Sequence, residues 1–227
     1  MEYTVHRAQH PLGEPTANWE ADLWQAADTL EIAIYRWEDS GHRPKTEARI
    51  LYDDDHLGVI FRVEDRYVRA ICENFGDPVS HDSCVELFVS PYPMGQTDAY
   101  FNFEVNCGGT MLLRRCTSST EREMGRPNRM IAESDAALIP VAGSLPKIVE
   151  PEITEPITWT IEYHVPLALF HHYFLDCDSP GPGKEWKANL YKCSGHNSHP
   201  HYGTWAPIEV YSASFHQPAF FRPLHFA

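Results

Sequence analysis

Much of the chain alternates apolar and polar residues with a period of two, the signature of strands that bury one face. In SCVELFVS (83–90), Val85, Leu87 and Val89 point one way and Cys84, Glu86 and Phe88 the other. AYFNFEVN (99–106) repeats the pattern, with Phe101, Phe103 and Val105 opposed to Tyr100, Asn102, Glu104 and Asn106. Runs rich in β-branched and aromatic residues predict further strands at LEIAIYRW (30–37), ARILYD (48–53), HLGVIFRVED (56–65), TMLLRRC (110–116), TWTIEYHV (158–165), WKANLYKC (186–193) and FFRPLHF (220–226). The segments DDDH, NFGDP, PYPMGQTD, NCGG and DSPGPGKE between them carry turn chemistry, and such connections suit antiparallel pairing. Helical periodicity is confined to ADLWQAAD (21–28) and PLALFHHYF (166–174), where Pro166 suits a first turn. Residues 117–156 are rich in charge and proline without a sustained period, which predicts a long excursion from the strands. The pattern predicts an all-β fold: a two-sheet antiparallel β-sandwich of jelly-roll type with one or two short helices, as a single domain over 1–227.

Composition narrows the partners. A chain of 227 residues can bury a core without disulfides. Its 32 acidic and 18 basic residues leave a net charge of -14, which repels phosphate backbones and anionic lipid, so neither nucleic acid nor membrane is an expected partner. The opening MEYTVHRAQHPLGEPT lacks a basic segment followed by an apolar one, so a soluble, cytoplasmic chain is expected, or an extracellular one if a signal was removed. The six cysteines form no CxxC pair and several fall inside strands, which predicts reduced thiols packed as small hydrophobes. GxSxG, Walker and GxGxxG motifs are absent, which removes the commonest hydrolase and nucleotide readings.

The candidate chemistry is acidic. Glu86 shares its strand face with Cys84 and Phe88, and a carboxylate on such a face needs a partner or a ligand, so partial burial is expected. Were the two strands neighbours, Glu86, Asn102, Glu104 and Asn106 would form a polar patch suited to sugar hydroxyls; the alternative is a solvated outer face. Glu86 with Glu104, or Asp82 with Glu86, has the spacing for a glycosidase carboxyl pair. In GHNSHPHYGTW (195–205), His196, His199 and His201 could bind zinc or copper, or line a solvated loop. Asp53, Asp54 and Asp55 could hold calcium, or turn the chain between adjacent strands.

Taken in order, LYDDDHLGVIFRVED, DPVSHDSCVELFVSP, YFNFEVNCGGTM, WKANLYKC, TWAPI and FHQPAFFRPLHF resemble the family 9 carbohydrate-binding modules within the DOMON-like group, from about Leu23 to Phe226. The resemblance implies a β-sandwich that clamps a terminal sugar ring between two tryptophans. It also implies a Glu, an Arg and an Asn on the sugar hydroxyls, and structural calcium elsewhere. Glu86 matches the family Glu and Asp82 its Asp, while Ser80 stands at the first Trp position and Glu104 near the Arg position. Trp205 matches the second Trp, and Trp37, Tyr67, Tyr92 and Tyr202 are candidate substitutes for the first. The expected function is non-catalytic binding of a sugar or oligosaccharide end through Glu86, Asn102, Glu104, Asn106 and Trp205. A glycoside hydrolase and a haem- or metal-binding DOMON-like domain are the alternatives.

Overall fold

The computed structural model describes residues 1–37 and 39–227. Its strands are, in chain order, β1 Tyr3–Arg7, β2 Leu30–Glu31, β3 Lys45–Tyr52, β4 His56–Asp65, β5 Val68–Ala70, β6 Cys84–Ser90, β7 Tyr100–Asn106 and β8 Met111–Cys116. They continue with β9 Arg129–Met130, β10 Val141–Gly143, β11 Val149–Ile153, β12 Ile157–Pro166, β13 Glu185–Ser194, β14 His201–Thr204 and β15 Arg222–Phe226. One curled path of hydrogen-bonded strands runs β10-β12-β4-β3-β1-β15-β13-β6-β7-β8-β9, with β14 added on β13 and β2 on β3. β5 and β11 form a separate pair.

The curl produces the two layers of a sandwich. One layer is β12-β4-β3, the other β13-β6-β7, and their inward side chains make one core. Ile50, Val59, Phe61, Trp159 and Tyr163 come from the first, and Val85, Leu87, Phe103 and Leu190 from the second. β1 joins the layers. Tyr3–Val5 pair with Leu224–Phe226 of β15, whereas His6 and Arg7 pair with Leu51 and Tyr52 of β3. Both pairings are parallel, so the purely antiparallel sandwich predicted from the pattern holds everywhere except at this strand, which no turn signal could have placed.

LEIAIYRW was expected to be one strand, but Leu30–Glu31 alone pairs, with a single bridge from Ile34 to Thr204 beyond it. ADLWQAAD shortens to a 3-10 turn at Asp22–Ala26, and PLALFHHYF is the helix Leu167–Tyr173. The 117–156 segment is more ordered than its composition suggests. It holds β9, β10 and β11 and two short helices, Ser119–Glu123 and Glu133–Ala136. A capping box at Ser118 and Glu121 closes the first of them.

The outer face of β6, β7 and β13 is also covered. The chain beyond Trp205 folds back across it, and Ile208, Phe215 and Phe221 pack with Phe88, Tyr100 and Tyr191. This second cluster is what turns an ordinary sheet surface into a walled site.

Candidate functional site

Register brings the acidic positions together. β6 and β7 are neighbours, with Glu86 directly opposite Glu104 and Cys84 opposite Asn106. β13 lies on the other side of β6, setting Tyr191 opposite Glu86 and Cys193 opposite Cys84. Alternation then puts Cys84, Glu86, Glu104, Asn102 and Cys193 on the outer face, beneath the returning chain.

Glu86 is 3% exposed, as its apolar strand face predicted. Its Oε1 accepts from the Cys193 thiol at 3.1 Å. Burial raises its pKa well above the ordinary carboxyl value, and Cys193 and Glu104 push the same way. Glu104, 6% exposed, is also shifted upward by burial. The Asn102 amide, which donates to its Oε1 at 2.9 Å, offsets part of that shift, as do Arg114 and Ser80. Neutral carboxyls can donate as well as accept hydrogen bonds. Asn102 keeps its own carbonyl oxygen buried without a partner.

A pocket of about 250 Å³ opens over these groups, lined by Ser80, Glu86, Glu104, Cys193, Tyr202 and Phe215, with Ala213, Ser214 and His216 completing its wall. Phe215 stacks on Tyr191 at 4.2 Å between ring centroids and meets Tyr202 at 6.3 Å. The Tyr100 hydroxyl reaches His216 Nδ1 at 2.8 Å and tethers the wall to β7. Of four larger clefts lined by the described residues, the two largest are less suited to a polar ligand. One of about 560 Å³ beside Leu12 and Leu23 has no Phe, Tyr or Trp among its lining residues. In the other, of about 570 Å³, Arg115 and Glu121 pair with each other at 2.8 Å.

A profile described as carbohydrate-binding family 9 matches residues 22–226. The chain belongs to that family. Its fold is similar to that of a candidate carbohydrate-binding protein from Bacteroides uniformis ATCC 8492, with a TM-score of 0.84 and 25% identity over 100% of this chain and 99% of the other. A family 9 module from Caldicellulosiruptor kristjanssonii in complex with cellotriose aligns at TM-score 0.63 and 12% identity, covering 100% and 93% of the two chains. The same organism's module in complex with glucose gives 0.59 and 13%, over 100% and 96%. At those identities the two modules share the fold alone. No curated protein matches the chain.

Within this family 9 domain the expected site residues divide. Glu86 and Glu104 line the pocket, and Asn102 supports it from below. Asn106 does not join them. Its amide donates to the Cys72 carbonyl and to Asp82 Oδ2, and its Oδ1 accepts from the backbone N–H groups of Gly108 and Thr110. It therefore shapes the β7–β8 turn, where Gly109 has φ +85 and a Cβ on Gly108 would strike the Lys147 carbonyl. Asp82 is structural for the same reason, accepting the N–H groups of Ile71 and Cys72.

Trp205 is not a stacking platform. It is 4% exposed and belongs to the core between the sheets, its backbone N–H bonded to the Leu190 carbonyl. The expected clamp fails at that position because β14 ends at Thr204 and the next residue dips inward. Of the proposed substitutes only Tyr202 lines the pocket; Trp37 and Tyr92 are buried, and Tyr67 stacks on His199 at 3.5 Å. Phe215 was missed. It opens the segment FHQPAFFRPLHF, but sits in an irregular stretch where no periodicity gives a side chain a direction.

The histidine loop does not converge. His196 stacks on His81, His199 on Tyr67, and buried His201 accepts from Lys192 Nζ at 2.8 Å. Burial lowers the pKa of His201 to about 2, and Lys192 adds to the effect. The DDD segment turns the chain between β3 and β4. Asp53 accepts three backbone N–H groups, from Leu12, Asp55 and His56, and Asp54 pairs with Arg7 at 2.6 Å.

Proposed function

We propose that this family 9 domain binds a carbohydrate end without catalysis, in the pocket between Glu86, Glu104, Tyr202 and Phe215. The observation that carries the reading is the meeting of two buried carboxyls with a partly exposed aromatic ring in one small cavity. Hydroxyl hydrogen bonds largely exchange with water and orient a sugar, whereas an apolar ring face against its C–H groups supplies affinity. Phe215 takes that role, held rigid by its stack on Tyr191. Glu86, Glu104 and Ser80 face the hydroxyls, with Ser80 giving room where the family Trp would stand. At about 250 Å³ the cavity is below the ~300–1,000 Å³ of drug-sized sites, which suits one sugar ring rather than a chain. Glucose and cellotriose, bound by the Caldicellulosiruptor kristjanssonii modules, are the first ligands to try.

A glycan array run with and without calcium identifies the sugar. Phe215→Ala should then weaken binding by roughly 2 kcal/mol or more, as expected for an anchoring ring, with the loss measured under conditions where a urea transition shows the variant still folded. Undiminished binding in that variant would move the site elsewhere. Release of reducing ends from a polysaccharide would replace the binding reading with a hydrolase using the same carboxyl pair.

A further inference from the structure

We propose that Cys84, Glu86 and Cys193 form a binding site for a thiophilic divalent cation, best matched by zinc, at the floor of the pocket. Cys84 and Glu86 are two apart on one face of β6, and Cys193 stands directly across from Cys84 on β13. The two sulfurs and a carboxylate oxygen all lie within 4.8 Å of one another, with Cys193 Sγ and Glu86 Oε1 already at 3.1 Å. Zinc at ~2.3 Å from sulfur and ~2.0–2.2 Å from oxygen holds tetrahedral ligand atoms roughly 3.5–3.8 Å apart. All three side chains are buried and belong to rigid central strands.

Binding a dication at these three side chains displaces the thiol and carboxyl protons into solvent, so affinity rises with pH. Two thiolates and one carboxylate select a soft or borderline ion over calcium or magnesium. Glu86 and Cys193 both line the pocket, so a fourth coordination position opens toward it, the pattern of an accessible rather than a closed zinc site.

The inference shares Glu86 and the pocket with the sugar reading but is tested with metal alone, so either can fail without the other. Cobalt(II) added to the reduced full chain should produce thiolate-to-cobalt charge-transfer absorption that saturates at one equivalent and is abolished by zinc. Cys84→Ser, Cys193→Ser and Glu86→Gln should each weaken cobalt binding by about 10-fold or more. Cys116→Ser removes another buried thiol of the same layer and should leave it unchanged. Absence of the charge-transfer band from the reduced wild-type chain, which requires no variant to fold, would overturn the proposal. So would a band of equal strength in Cys84→Ser and Cys193→Ser.

Discussion

At the scale of single residues, Glu86 links stability to pH. Its folded pKa lies above its unfolded value, so the native state holds a proton that the unfolded chain releases. The stabilisation is complete below the ordinary glutamate pKa of about 4.3 and is lost as pH rises through the folded value. With a chelator present, urea midpoints should therefore fall in the wild type as pH rises above the ordinary glutamate range, by more than in Glu86→Gln, whose amide does not titrate. An equal fall in both would show that Glu86 is not responsible. Trp205 makes the opposite kind of prediction. Being core, Trp205→Ala should cost about 3–5 kcal/mol of stability, read as a lowered denaturation midpoint, instead of removing sugar affinity from an intact fold.

Elements decide which of the polar residues are available. Along β7 the alternation is regular, yet Asn102, Glu104 and Asn106 differ in role because their ends meet different neighbours. Asp82 shows how a loop is held for the site: one carboxylate oxygen gathers the N–H groups of Ile71 and Cys72 and the Asn106 amide. The 3-10 turn Val79–His81 just before it carries Ser80 into the pocket wall. Asp82→Ala leaves the part-buried N–H groups of Ile71 and Cys72 without that acceptor and the Asn106 amide with only the Cys72 carbonyl, at up to about 1–3 kcal/mol for each lost partner. Hydrogen exchange should report faster opening of 70–83 in that variant than across β3 and β4, and uniform protection would refute the coupling.

Over the whole molecule, one ion pair ties the two layers. Lys192 of β13 and Asp65 of β4, both shut off from solvent at their side chains, lie 3.4 Å apart. Asp65 also meets His42 at 2.7 Å and the Trp159 indole N–H at 3.3 Å. Burial would raise the Asp65 pKa, but the charge of Lys192 and the hydrogen bonds from His42 and the Arg66 backbone N–H outweigh it and hold it low. Its contribution is thus present above the ordinary aspartate pKa near 3.9 and lost on acidification. Lys192→Met should destabilise the fold by about 3–5 kcal/mol by stranding that carboxylate, with partial recovery in Lys192→Met/Asp65→Asn. Denaturation midpoints of the two variants provide the test, and no recovery would argue against a stranded charge.

The strands, the turns, the burial of Glu86 and the outward face shared by Glu86 and Glu104 follow from local alternation, because a period of two assigns each side chain a side without knowledge of its neighbours. Family membership was legible as well, carried by the order of segments such as HLGVIFRVED, SCVELFVS and FHQPAFFRP. What lies over a face has no local signal. The return of 205–221 across β6, β7 and β13 determines that Phe215 walls the pocket and that Trp205 turns into the core, while the register of β13 on β6 brings Cys193 against Glu86. Those contacts join residues far apart in the chain, and they depend on strand register and on the path of an irregular segment, so only the tertiary structure could decide them.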